Sequence, residues 1–216
     1  HLNLQSNFNS SNSTPTPSAK SITAVLCCYG IATETQFMQG YDHFYKLPLT
    51  VLAACEIDPI LRNKFNSSTE CKYSYADMRD FLHDVKSIPD LREDLLNVDI
   101  LTVTPPCQGR SVLNETRKPY ETDDLFLLQV ELAKVLKPKR ILAELTPANK
   151  AFNLDHSTVA NTISSLGYTV NVTERFQSDL CYSYQHRDRW ILLAQRNDFL
   201  SKPINLSKFY TNYSFC

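Results

Sequence analysis

The most reactive feature of this sequence is a thiol on a stiff loop. Thr104-Pro105-Pro106-Cys107-Gln108 follows an apolar run, Val98-Asp99-Ile100-Leu101-Thr102-Val103, that reads as a buried strand. Neither proline can donate a ladder hydrogen bond, so the pair ends the strand and rigidifies the turn. Cys107 is thereby set beyond the carboxyl end of a strand, where open α/β sheets gather their chemistry. A thiolate there is a strong nucleophile once a positive charge or a dipole lowers its pKa. The plainer reading is a buried thiol packed as a small apolar group. What else stands at the strand ends decides between the two.

Other polar groups do stand there. Ile141-Leu142-Ala143-Glu144 is a strand closing on a carboxylate, and Gln185-His186-Arg187-Asp188-Arg189 leads into a strand from Trp190. Upstream, Cys28-Tyr29-Gly30-Ile31-Ala32-Thr33 turns out of a first apolar run, and Cys55-Glu56-Ile57-Asp58 ends a second. In this order and spacing, along residues 22 to 200, the segments resemble the DNA cytosine-5 methyltransferases. Cys107, Gln108 and Ser111 match that family's nucleophile loop. Glu144 matches the acid of its Glu-Asn-Val, although Leu145-Thr146 follows here. Gln185, Arg187 and Arg189 match its Gln-x-Arg-x-Arg. Its cofactor loop, Gly-x-Gly, reads Gly30-Ile31-Ala32, and Cys28 stands where the family has an aromatic, with Tyr29 adjacent.

The resemblance implies roles residue by residue. Cytosine C5 is too weak a nucleophile to attack a sulfonium unaided, and thiolate addition at C6 activates it. Cys107 is then the nucleophile. Glu144 holds a proton near N3 and bonds the exocyclic amine, so that charge building on the ring is neutralised. Arg189 bonds the base O2, and Arg187 braces the loop or a phosphate. The base must leave the duplex to be reached, and Gln108, Arg110 and Ser111 are the substrate-binding candidates that meet it. S-adenosylmethionine is the implied cofactor. Its candidate contacts are Cys28, Tyr29, Gly30, Ile31, Ala32, Thr33, Glu56, Ile57, Asp77, Pro105 and Leu125. Among these, Glu56 takes the ribose hydroxyls and Asp77 the adenine amine. Asp77 also reads as a helix cap, and Leu125 as plain core.

The elements that must hold these residues alternate along the chain. Strands are expected at 22–27, 50–55, 71–75, 98–103, 140–144, 169–175 and 189–195. Helices are expected at 33–39, 59–65, 78–85, from Asp123 or Asp124 to Leu136, and at 157–166. Alternation of this kind predicts an α/β fold with a mostly parallel sheet and helices on both faces. The last two strands are too close in sequence for a crossover helix, so the final strand is expected to run antiparallel. The resemblance implies the Rossmann-like S-adenosylmethionine-dependent methyltransferase fold.

At 216 residues with 43% apolar content the chain suits one catalytic domain, expected over residues 21–200. Residues 1–20 hold five Ser, four Asn, two Thr and two Pro, which reads as a flexible tail. Residues 201–216 form an aromatic tail with Phe209, Tyr210, Tyr213 and Phe215. A formal net charge of −1 gives no global field toward nucleic acid, so DNA contacts must be local or come from elsewhere. The family carries a target-recognition region and a final Asn-rich motif, neither visible before Cys216. The chain starts at His1, so a fragment is expected, with recognition supplied by a further segment or a second chain. Seven cysteines without zinc spacing argue for free thiols, no metal and a reducing setting, nucleus or cytoplasm. No apolar run approaches the ~18 residues of a membrane span. DNA is the expected partner. Two alternatives stand beside it: an RNA substrate, as in the tRNA-modifying branch, and a non-catalytic subunit that assists a partner.

Overall fold

A computed structural model describes residues 21–30, 49–106, 124–147, 153–177 and 188–199. The strands are β1 (Ile22–Cys27), β2 (Leu49–Cys55), β3 (Cys71–Tyr75), β4 (Ile100–Val103), β5 (Arg140–Leu145), β6 (Tyr168–Gln177) and β7 (Asp188–Arg196). The helices are α1 (Pro59–Ser68), α2 (Met78–Ser87), α3 (Pro89–Leu95), α4 (Leu125–Leu136) and α5 (Asn153–Ser165). The strands form one sheet in the order β3-β2-β1-β4-β5-β7-β6. Neighbours from β3 to β5 pair in parallel, and β7 runs antiparallel to both β5 and β6.

Side chains alternate across each strand, so each apolar run serves two faces. On one face Val25, Cys27, Ala53, Cys55, Leu101 and Val103 meet α2, α3 and α4 through Phe81, Leu95 and Leu132. Farther along that face Ile141, Ala143, Trp190 and Leu192 meet Phe126 of α4 and Val159 and Ile163 of α5. The other face presents Ala24, Leu26, Val51 and Ala54 to Phe65 of α1. Helices therefore cover both faces, as the alternation requires.

Helix starts follow local chemistry. Asp58 caps α1, accepting from Ile60 and Leu61, and Pro59 occupies the first turn, where its missing N–H costs nothing. Asp77 caps α2 by accepting from the Arg79 amide. Helix α3 was not expected from the sequence: Ile88 offers no capping side chain, and only Leu91 and Leu95, four apart, are buried. Helix α5 begins at Asn153, a turn earlier than the pattern predicts. The expected helix at 33–39 and the tails 1–20 and 201–216 lie outside the described residues. Among the described residues no helix is long and apolar enough to cross a membrane.

The lower edge of the sheet, where parallel strands begin, is tied shut. Asp99 Oδ2 accepts from Thr23 N and Oγ1 at 2.9 and 3.0 Å, and Thr23 Oγ1 accepts from Asp99 N at 3.0 Å. Asp99 Oδ1 accepts from Lys139 Nζ at 2.6 Å. This pins β1, β4 and β5 together at one end.

Candidate active site

At the opposite edge, where β1 to β4 end, the chain leaves a cavity of about 290 Å³. It opens beside the point where strand order reverses, between β1 and β4, the usual crevice of open α/β sheets. Cys28, Gly30, Glu56, Ile57, Asp77, Arg79, Thr104, Pro106 and Leu125 are among its lining residues.

Two residues with positive φ shape the turn after β1: Cys28 at 60° and Gly30 at 55°. Glycine adopts that region without a Cβ clash, whereas cysteine does so against its preference. The strand ends hold the turn in place. Cys28 N donates to Cys55 O at 2.8 Å, and Thr104 Oγ1 donates to Cys28 O at 2.8 Å. Thr104 thus ties the turn to the start of the loop that leads to Cys107.

Glu56 ends β2 and is 8% exposed. Burying a carboxylate is costly unless donors meet it. Its Oε2 accepts from Gly30 N at 2.8 Å and its Oε1 from Asp58 N at 3.0 Å. A carboxylate has about four acceptor sites. Among the described residues two go to backbone amides, on a residue that lines the cavity. Ile57 beside it is 68% exposed, a large apolar side chain at the cavity wall.

Asp77 lines the cavity and also caps α2, as its helix-cap reading expects. Its Oδ1 accepts from Arg79 N at 2.7 Å, and its Oδ2 lies 3.3 Å from Arg79 Nη1. Arg79 also forms a two-bond pair with Asp124, Nη2 to Oδ1 at 2.6 Å and Nε to Oδ2 at 3.2 Å. Leu125, next in the chain, lines the cavity and also packs into the core.

Two expected contacts go elsewhere. Tyr29 turns into the core, its ring 4.5 Å from that of Phe65, and does not line the cavity. Cys27 and Cys28 both pack on the α2 face, so alternation breaks at the positive φ of Cys28, and Tyr29 turns to the α1 face with Leu26 and Phe65. Pro105 is buried, and Pro106 takes the place beside the cavity. Arg79, Thr104, Met78 and Ala76 line it without having been expected. The Arg79 position had one signal, a cation two residues after a candidate acid.

Burial, then the neighbouring Cys27 and Glu56, raises the Cys28 thiol far above its ordinary pKa. Burial likewise raises Cys55, and brings Cys71 to about 11. These three thiols stay protonated and are poor nucleophiles.

Glu144 and Arg189 meet. Their strands pair antiparallel with Glu144 opposite Ile191, so Arg189 is the diagonal neighbour on the same face. Arg189 Nε and Glu144 Oε1 form an ion pair. The β4–β5 ladder ends with Val103 opposite Ala143, which sets Thr104 next to Glu144. The chain passes Glu144 just before it reaches Cys107. Behind the pair, Trp190 packs edge-on to Phe126 at 5.5 Å and beside His156 at 4.8 Å, fixing β7 against α4 and α5.

Cys107, Gln108, Arg110, Ser111, Arg187, Ile31, Ala32 and Thr33 lie outside the described residues. Among the described residues no group of three or more His, Cys, Asp or Glu could hold a metal ion.

Comparison with known proteins converges on one family. A family model described as C-5 cytosine-specific DNA methylase matches residues 37–214. Among solved structures, the Dnmt2 methyltransferase of S. pombe superposes with a TM-score of 0.59 at 16% identity, covering 90% of this chain and 56% of that one. The methyltransferase EhMeth of Entamoeba histolytica gives 0.58 at 18% identity, covering 85% and 55%. An E. coli prophage protein described as a DNA modification methyltransferase gives 0.58 at 18%, covering 87% and 50%. The chain spans about half the length of these structures. No curated protein sequence gives a match.

Proposed function

The chain belongs to the C-5 cytosine-specific DNA methylase family, and on that premise we propose that it methylates C5 of cytosine in DNA, through covalent addition of Cys107 to C6 of a flipped base. The observation that carries this reading is the Glu144–Arg189 pair, standing at the sheet edge beside the exit toward Cys107.

The chemistry divides among named groups. The Cys107 thiolate attacks C6, and electrons move toward C5 and N3. Glu144, as the acid, shares a proton with N3 and accepts from the exocyclic amine, which offsets the charge arriving on the ring. Arg189 donates to O2 on the other side. Before a base enters, the two side chains satisfy each other, so neither a charge nor a donor is left bare at the sheet edge. Arg187 braces the loop, while Gln108, Arg110 and Ser111 contact the substrate strand. After methyl transfer a base removes the C5 proton, and elimination releases Cys107.

The cavity suits S-adenosylmethionine, which when bound supplies an electrophilic methyl group. Glu56 retains acceptor sites for two ribose hydroxyls, each charge-assisted bond worth about 1.5–3 kcal/mol. Asp77 accepts from the adenine amine, and the exposed Ile57 and the buried Leu125 give the ring apolar contact. Cys28 and Gly30 shape the turn that takes the methionine part, and Ile31, Ala32 and Thr33, which follow in sequence, remain its candidate contacts. A nuclear or cytoplasmic setting belongs to this reading, in keeping with the buried thiols Cys27 and Cys55. Target recognition comes from a further segment or a second chain.

The test is an oligonucleotide with 5-fluorocytosine, since fluorine at C5 blocks elimination. A covalent adduct should form with DNA in the presence of S-adenosylmethionine and disappear in Cys107→Ser. An adduct that survives in Cys107→Ser removes Cys107 from the mechanism. An adduct with RNA alone moves the substrate to RNA. No binding of S-adenosylmethionine, with or without partners, leaves the non-catalytic reading.

A further inference from the structure

Two neighbouring residues, Glu56 and Ile57, line the cavity. Their carbonyls are held by one guanidinium. Arg62 of α1 is half-buried and does not line the cavity, and its Nη1 donates to Glu56 O and, at 3.3 Å, to Ile57 O. The ladder between β2 and β3 stops at Cys55 opposite Tyr75, so Glu56 O has left the ladder while its residue is still buried. A carbonyl there needs a donor from elsewhere. The last backbone bond toward β3 runs from Glu56 N to Tyr75 O at 3.1 Å. The Glu56 backbone is thus gripped by β3 at its amide and by α1 at its carbonyl.

Arg62 can do this because α1 is fixed at the same place. Asp58 Oδ1 accepts from Ile60 N and Leu61 N at 2.8 and 3.1 Å, and Arg62 N donates to Asp58 O at 2.9 Å. Asp58 N in turn donates to Glu56 Oε1 at 3.0 Å. Residues 56 to 62 close into a ring of bonds, with the Glu56 carboxylate at one point and the Arg62 guanidinium at another. Farther along α1, Phe65 anchors the helix on the sheet, its ring 4.5 Å from that of Tyr29. We propose that Arg62 is a positioning residue for the cofactor acid: it fixes the Glu56–Ile57 backbone and so aims the Glu56 carboxylate into the cavity. The inference rests on the reading above, in which Glu56 takes the ribose hydroxyls. A hydrogen bond weakens steeply once its distance and angle leave their optimum, so a carboxylate on a looser backbone binds hydroxyls less well. Such a carboxylate must also be ordered on binding, which costs conformational entropy.

S-adenosylhomocysteine serves as the probe, read by calorimetry on the full chain, with urea unfolding to count folded molecules. Arg62→Met keeps an apolar stem and a good helix former while removing the donors. It should weaken the probe by about tenfold, less than the loss of Glu56 itself, since about one charge-assisted bond is at stake. In a Glu56→Ala background the same change should cost under about twofold, because nothing is left to aim. A residue that merely holds the fold together would add the same factor in both backgrounds. Should Arg62→Met fail to fold, Arg62→Gln, whose shorter side chain does not reach the carbonyls, takes its place in the cycle. Arg62→Lys should recover most of the affinity, because a single nitrogen makes both contacts and an ammonium has three donors. Equal losses in the two backgrounds, or no loss in either, overturn the proposal and leave the cofactor reading intact, as does an Arg62→Lys chain no better than Arg62→Met. A native chain that does not bind the probe, or binds it no better than Glu56→Ala, sinks both.

Discussion

At the lower edge of the sheet Asp99 spends its carboxylate inside the protein, on Thr23 and Lys139. At the upper edge Glu56 accepts from two backbone amides among the described residues, Gly30 and Asp58, and lines a cavity. Both are acids in or beside strands of one sheet. The lower one accepts three bonds, from the Thr23 amide and hydroxyl and from Lys139, and lies at the edge away from the cavity. The upper one is held just firmly enough to be aimed. Burial is therefore a poor guide to role here, and the remaining acceptor capacity is a better one.

Four substitutions probe that contrast. Glu144→Ala, at the upper edge, should slow methyl transfer by a factor of about 100 to 10,000 and leave affinity for S-adenosylhomocysteine nearly unchanged. A single-turnover assay beside calorimetry separates the two; equal losses in both would merge the catalytic and cofactor halves of that edge. Asp99→Ala, at the lower edge, should cost about 3 kcal/mol in urea unfolding, because hydrogen bonds to a charged group go together. Activity per folded molecule should survive, and its loss would erase the distinction between the edges. Glu56→Ala should weaken S-adenosylhomocysteine by about thirtyfold, close to 2 kcal/mol, with a smaller effect on unfolding. Lys72→Ala breaks the exposed Lys72–Asp94 pair, 2.6 Å long, and should shift stability by about 1 kcal/mol or less.

The lower clamp also sets a pH dependence. Burial pushes the Asp99 carboxyl up, but the bonds from Lys139 and Thr23 together outweigh it and hold the pKa below its usual value. A depressed pKa contributes stability above the unfolded pKa, near 3.9, and that contribution fades as pH falls through the folded value. Thermal melts of native chain and Asp99→Asn should therefore converge below about pH 4 and diverge above it. A constant gap across that range would mean that the charge of Asp99 is not what stabilises the edge.

Much of this was legible from residue order. Ile22–Cys27 and Cys71–Tyr75 are strands with the bounds expected from the sequence. Glu56, Asp77, Gly30, Cys28, Ile57 and Leu125 face one cavity because strand ends in a parallel sheet share an edge, and alternation with turn residues locates those ends. What stayed hidden was orientation. The side taken by Tyr29 depends on the positive φ of Cys28, and no local pattern announces cysteine in that region. The Arg79–Asp124 pair joins positions 45 apart, a fact of helix packing rather than of spacing. Helix α3 lacks a cap and is too short for a periodic signal.

Because β7 runs against its neighbours, Arg189 sits at its start, and Arg196 ends it at the Asp99 side, bonded to Asn97 at 2.7 Å. The polypeptide that continues past Phe199 sets out from the floor of the molecule. Glu144 stands opposite Ile191, five residues of strand before Arg196, a climb of about 17 Å. A reporter or fusion attached there starts at the edge of the sheet opposite the cavity.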